Sequence, residues 1–123
     1  MEIIQEIQDG IKIFRLMGRL DHTTSQELED ELFRAISGGS NKIIVNFENL
    51  DYISSAGIRV VFKAHHTLLR EDGQIILCSM QKHIKEFFEK TKFDNYVPII
   101  DNMDQALETF YFSQKVVIKR WLP

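Results

Sequence analysis

The sequence predicts an α/β fold with a mainly parallel or mixed sheet. Two observations carry this. Short β-branched runs, such as Ile43-Ile44-Val45 and Gln74-Ile75-Ile76-Leu77, alternate with longer stretches whose apolar residues recur at helical spacing. Strands that alternate with helices need crossover connections, which set consecutive strands parallel. The second observation is an Asp9-Gly10 pair between two alternating runs, which signals one hairpin at the start.

The elements follow in order. Ile3, Ile4 and Ile7 precede Asp9-Gly10, and Ile11, Ile13, Phe14 and Leu16 follow it, so strands are expected near 2–8 and 11–18. After Leu20, a hydroxyl of the Thr23-Thr24-Ser25 group is expected to accept a bond from the free amides of a first helix. Glu27, Glu29, Asp30 and Glu31 load its early turns with the charge that the helix dipole favours. Leu28, Leu32, Ala35 and Ile36 form its buried stripe, and Gly38-Gly39 ends it. A strand over 42–47 comes next, then a loop over 48–53. Ile58, Val61, Phe62, His65, Leu68 and Leu69 predict a second helix that ends near Gly73. A strand over 74–79 and a helix over about 81–90 follow, the latter with Ile84, Phe87 and Phe88 inward. Pro98 lacks an amide and restricts Val97, which assigns the 96–100 segment to a sheet edge. Asp101 or Asn102 caps a last helix through about Phe110.

Composition sets the class. The chain has 123 residues, 44% hydrophobic and 27% charged, which is ordinary globular usage and excludes a disordered or low-complexity chain. Fifteen Lys and Arg against eighteen Asp and Glu leave a net charge of -3, which lacks the basic footprint of a nucleic-acid binder. The lone Cys78 excludes an internal disulfide and a cysteine-based zinc cluster, and its apolar setting predicts a buried, inert thiol. No apolar run approaches the ~20 residues of a membrane span, and MEIIQEIQDG lacks a signal-peptide pattern. The expectation is a cytoplasmic protein without membrane insertion.

Catalytic motifs are missing. There is no Walker A loop, no Gly-x-Gly-x-x-Gly and no His-Glu-x-x-His, and Ser54 and Ser55 lack a Gly-x-Ser-x-Gly elbow. Of the four histidines, His65 falls on an apolar helix stripe and is expected as a hydrogen-bonded core residue; His66 and His83 are expected to be solvated. No enzymatic activity, cofactor or metal is expected. The segment that stands out is Asp51-Tyr52-Ile53-Ser54-Ser55-Ala56-Gly57-Ile58-Arg59, where two serines open a helix. They read as a helix cap, worth ~1 kcal/mol, or as a phosphorylation site, because free amides and the positive dipole end tolerate a phosphate there.

These residues, with two further segments, resemble the STAS domain family, and within it the stand-alone bacterial anti-sigma factor antagonists. The resemblance runs from about residue 3 to 110. It rests on Leu16-Met17-Gly18-Arg19-Leu20-Asp21, on the stretch from Ile43 to Ile58, and on Gly73-Gln74-Ile75-Ile76-Leu77-Cys78. It implies the STAS fold: a central mixed β-sheet of four to five strands with about four α-helices, in a single layer mainly on one face. It divides the chain into a domain over 1–110 and a C-terminal extension over 111–123. The family's Asp-Ser-(Ser/Thr)-Gly pattern puts Ser54 at the Asp position, Ser55 at the phosphoacceptor and Gly57 at the glycine. Ser54 departs from the carboxylate. Lys92 departs from a glycine common after the third helix, and would need positive φ if the turn is kept.

By the same resemblance, the unmodified protein binds a serine kinase that doubles as the anti-sigma factor, of the histidine-kinase-like ATPase class. Phosphate on Ser55 releases it, and a PP2C-type phosphatase resets the switch. The partner-binding residues so implied are Asp21, His22, Thr23, Asp51, Tyr52, Ser54, Ser55, Ala56, Gly57, Ile58 and Arg59. The alternative is a non-signalling STAS subunit or scaffold of a lipid- or anion-transport assembly, in which Ser54 and Ser55 only cap a helix. The extension carries Tyr111, Phe112, Val116, Val117, Ile118, Trp121 and Leu122 among Lys115, Lys119 and Arg120, with no acids. So apolar a segment is expected to pack on its own domain, or between copies as a homodimer contact.

Overall fold

The computed structural model describes residues 1–121, with side chains described as far as Phe112. Strands β1 (Glu2–Gln8) and β2 (Ile11–Leu20) form the expected hairpin. Asp9 and Gly10 both take positive φ, 51° and 79°, the backbone of the tight turn that suits the twist of two paired strands. Helix α1 (Ser25–Ser37), strand β3 (Lys42–Ile53), helix α2 (Ser55–Arg70), strand β4 (Gln74–Cys78) and helix α3 (Lys82–Thr91) follow. A 3₁₀ turn (Phe93–Asn95), the short strand β5 (Ile99–Ile100) and helix α4 (Met103–Trp121) complete the order.

The sheet order is β1-β2-β3-β4-β5. The β1–β2 pair is antiparallel and the other three pairs are parallel. Each parallel step crosses over through one helix. Right-handed crossovers that always advance in one direction put all their helices on the same face. The cores agree. Phe14, Leu16, Ile43, Val45, Phe47, Ile75 and Leu77 pack against Leu28, Leu32 and Ile36 of α1, Ile58, Val61, Ala64 and Leu68 of α2, and Ile84 and Phe88 of α3. The alternate residues Ile11, Ile13, Ile44, Ile76 and Cys78 point the other way, onto Ala106, Leu107 and Phe110 of α4. The helix layer is therefore mainly on one face, as expected, with α4 alone on the other.

Several expectations need correction. The 48–53 segment is not a loop: β3 continues through it to Ile53, with Leu50 and Ile53 buried. The last helix does not stop near Phe110 but runs on to Trp121, so the 111–123 extension begins as its continuation. The Tyr111 hydroxyl donates to Asp9 Oδ2 at 2.6 Å, tying α4 to the hairpin turn, and Phe112 is exposed. The expected packing of the rest of the extension lies outside the described residues. His65 is buried, but its Nδ1 has no hydrogen-bond partner among the described residues. His83 is exposed, yet its ring contacts a backbone carbonyl. Cys78 is buried as expected, and burial pushes its thiol pKa up. No described helix is long and apolar enough to cross a membrane.

Candidate functional site

The carboxyl ends of β2 and β3 lie side by side, with Leu20 paired to Ile53. Chain leaving β2 makes the Asp21–Thr24 turn into α1, and chain leaving β3 makes the Ser54 turn into α2. A backbone bond from Ser54 N to Leu20 O, 2.9 Å, ties the two exits. Asp21, His22, Thr23, Ser54 and Ser55 thus share one edge of the sheet, the usual place for function beyond parallel strands.

The first turn is built around Asp21. Its Oδ1 accepts from Thr23 N at 2.9 Å, Thr23 Oγ1 at 2.7 Å and Thr24 N at 3.1 Å, with Thr24 Oγ1 3.2 Å away. The Thr23 hydroxyl, then the Thr24 amide, favours the ionised form and holds the carboxyl pKa at about 2. The expected hydroxyl cap of α1 is not made. Thr24 occupies the cap position without a capping bond, and its Oγ1 takes the Asp21 amide at 2.9 Å and donates to Arg19 O at 2.8 Å. The carboxylate collects the amides ahead of the helix instead. Gly18 has φ of 103° beside a shift in β2–β3 register, a conformation L side chains resist, which gives the Gly18-Arg19-Leu20-Asp21 motif its glycine.

The second turn divides its two serines. Ser54 is the N-cap of α2, half-buried, and its Oγ accepts from Gly57 N at 3.4 Å. Ser55 is the first helical residue and is exposed. Arg59, one turn on and exposed, reaches back to the Ser55 carbonyl, with Nε 3.4 Å from it. Gly57 is needed for close approach: a Cβ there would sit 2.7 Å from Leu20 Cγ and 3.0 Å from Ile53 Cγ1, both on buried side chains. Gly57 and Ile58 are buried, so they bear on a partner only through the shape they give the turn.

Tyr52 and Asp51 are exposed beside this edge. The Arg19 guanidinium stacks over the Tyr52 ring, 4.2 Å from its centroid, a cation–π contact between two register-paired residues. On the β4 side, Gln81 Nε2 donates to Leu50 O at 2.9 Å, and His83 Nε2 lies 2.7 Å from Asp51 O. Sequence reasoning missed Arg19, Gln81 and His83 as parts of the site; nothing local marks a contact between α3 and the end of β3. Among the described residues no cluster of His, Cys, Asp or Glu could hold a metal ion.

Comparison with known proteins bears on this arrangement. The family model of the STAS domain matches residues 2–106. The Bordetella bronchiseptica protein BtrV is 31% identical over 110 residues, covering 89% of this chain and 95% of that protein. The anti-sigma F factor antagonist of Paenibacillus polymyxa is 26% identical over 108 residues, covering 87% of this chain and 92% of its own. Among solved structures, the Bacillus anti-sigma factor antagonist SpoIIAA superposes with a TM-score of 0.71 in both its unphosphorylated and phosphorylated forms. The two structures are 23% and 22% identical to this chain, cover 89% of it, and are covered over 98% and 99% of their own lengths.

Proposed function

The chain belongs to the STAS domain family, and we propose that within it this protein is an anti-sigma factor antagonist that switches partners through phosphorylation of Ser55. The observation that carries the reading is the division of labour between the serines. Ser54 spends its hydroxyl on the Gly57 amide and is half-buried, whereas Ser55 is exposed at the first position of α2. A phosphate on Ser55 would meet the positive end of the helix without removing the cap.

Relatives named as anti-sigma factor antagonists, and a fold-mate solved with and without phosphate, support the role. In its unmodified state the edge formed by Asp21, His22, Thr23, Asp51, Tyr52, Ser55 and Arg59 docks on a serine kinase that is also the anti-sigma factor, of the histidine-kinase-like ATPase class. Phosphorylation adds about -1.5 to -2 charge inside that interface. Repulsion and desolvation of ~3 kcal/mol lower affinity more than 100-fold, enough for release. A PP2C-type phosphatase restores the binding form. The protein itself performs no chemistry; it supplies a surface and an acceptor hydroxyl.

Titration calorimetry against the cognate kinase tests this. Ser55→Ala is expected to bind as the unmodified protein does and to take no phosphate. Ser55→Asp is expected to bind more weakly, though short of the full effect, since a carboxylate carries about half the charge of the phosphate. Equal affinities for wild type and both variants would overturn the switch.

A further inference from the structure

We infer that Gln81 and His83, at the start of α3, are the positioning residues of the Ser55 turn, taking the place of a strand that β4 is too short to provide. Only the functional consequence rests on the reading of Ser55 above; the positioning itself stands on geometry.

Strand β4 ends at Cys78, opposite Asn46, and the chain turns away at Ser79, whose φ is 62°. Strand β3 continues to Ile53. From Phe47 onward its β4-facing edge has no strand partner. The partly buried Leu50 carbonyl, left there without a donor, would lose hydrogen bonds to water and gain none. The other edge of β3 is irregular. Its register against β2 shifts between Arg15 and Met17 and again between Gly18 and Arg19. At the second shift Leu50 pairs with Gly18 and Tyr52 with Arg19, which leaves Asp51 without an opposite residue. An unpaired residue of this kind bends its strand and frees its peptide groups from the ladder.

The side chains from α3 meet that defect. Gln81 Nε2 donates to Leu50 O at 2.9 Å and lies 3.4 Å from Glu48 O. His83 Nε2 is 2.7 Å from the carbonyl of Asp51. A carbonyl oxygen only accepts, so the proton sits on Nε2 and His83 is the donor. Both donors come from a helix end held in the main core by Ile84 and Phe88. The bulged end of β3 is thus gripped between β2 on one side and α3 on the other, immediately before Ser54 and Ser55. Without the α3 side, the backbone of the last β3 residues is bonded to β2 alone, across an irregular register, and the turn that presents Ser55 loses its fixed direction.

Hydrogen exchange by mass spectrometry and amide NMR on Gln81→Ala, His83→Ala and His83→Gln test the inference. Each alanine variant is expected to speed exchange in the 48–55 segment about tenfold, the order expected for one lost hydrogen bond. Exchange in β4 should stay at the wild-type rate, and the Ser55 and Ala56 amide resonances should move. His83→Gln should restore both readouts, because its amide can donate to the same carbonyl. Unchanged exchange in 48–55 in both alanine variants would overturn the inference. So would faster exchange throughout the chain, which would mean general loss of stability, or unmoved Ser55 and Ala56 resonances. Neither readout uses a kinase, so failure of the Ser55 phosphorylation reading would leave this result standing.

Discussion

Asp21 gathers bonds from Thr23 and Thr24 onto a single carboxylate oxygen, and its pKa falls from 3.8 to about 2. The sign of its effect on stability follows from linkage. The unfolded chain binds the proton more readily than the folded one, so the contribution is present above about pH 4 and is lost as pH falls through about 2. Following the Thr23 and Thr24 amides by NMR during an acid titration should give a midpoint near 2, and a midpoint near 4 would contradict the network. Asp21→Asn keeps an acceptor oxygen but loses the charge. It is therefore expected to leave the fold at neutral pH nearly intact while slowing phosphorylation of Ser55 in a kinase assay. The bond from the Gly57 amide to Ser54 is local in sequence, and for that reason the cap of α2 was legible there, whereas at α1 the Asp21 carboxylate took the place of the hydroxyl expected as the cap. Arg19 over Tyr52, and His83 at Asp51, join residues far apart in the chain. No local pattern encodes such contacts.

Among the elements, β3 shows why strand ends are hard to read. Its first half, Ile43-Ile44-Val45-Asn46-Phe47, is buried on both faces and reads as a strand at once. Beyond it, Glu48, Asn49, Asp51 and Tyr52 are exposed and only Leu50 and Ile53 are buried. Two register shifts break the alternation there, so the segment carries a loop's polarity on a strand's backbone. The end of α3 gives the opposite lesson. Lys92 takes φ of 65° as the C-cap, the left-handed conformation expected of it if the turn is kept. That conformation costs a residue with a Cβ about 1–2 kcal/mol, against about 0.5–1 kcal/mol of extra chain entropy for glycine. Lys92→Gly is therefore expected to stabilise the protein by about 0.5–1 kcal/mol in urea unfolding. A loss of stability would show that the Lys92 side chain, not its backbone, matters.

Across the whole molecule, the sheet separates two cores that meet only through its strands. Phe47 lies on the larger, with the Phe88 ring edge-on at 6.0 Å, and Phe110 lies on the smaller, under α4. Phe47→Leu and Phe110→Leu are each expected to cost about 1–2 kcal/mol. Because the two side chains lie in separate core clusters on opposite faces of the sheet, their effects should add to within about 0.5 kcal/mol in the double variant. A larger coupling energy from chemical denaturation would mean that the sheet transmits strain between its faces.

The order of elements, the hairpin at Asp9-Gly10, the helix opening at Ser54-Ser55 and the edge position of β5 were determined by the sequence alone. Each depends on periodicity, on a turn residue or on a cap, and these are properties of a few neighbouring residues. Tertiary structure decided the length of β3, the placement of α4 beneath the sheet, the run of that helix past Phe110, the orphaned Nδ1 of His65 and the grip of Gln81 and His83 on the strand end. All of these depend on which groups are brought opposite one another once the crossovers close, and a hydrogen bond or a buried face across such a distance leaves no mark on either segment by itself.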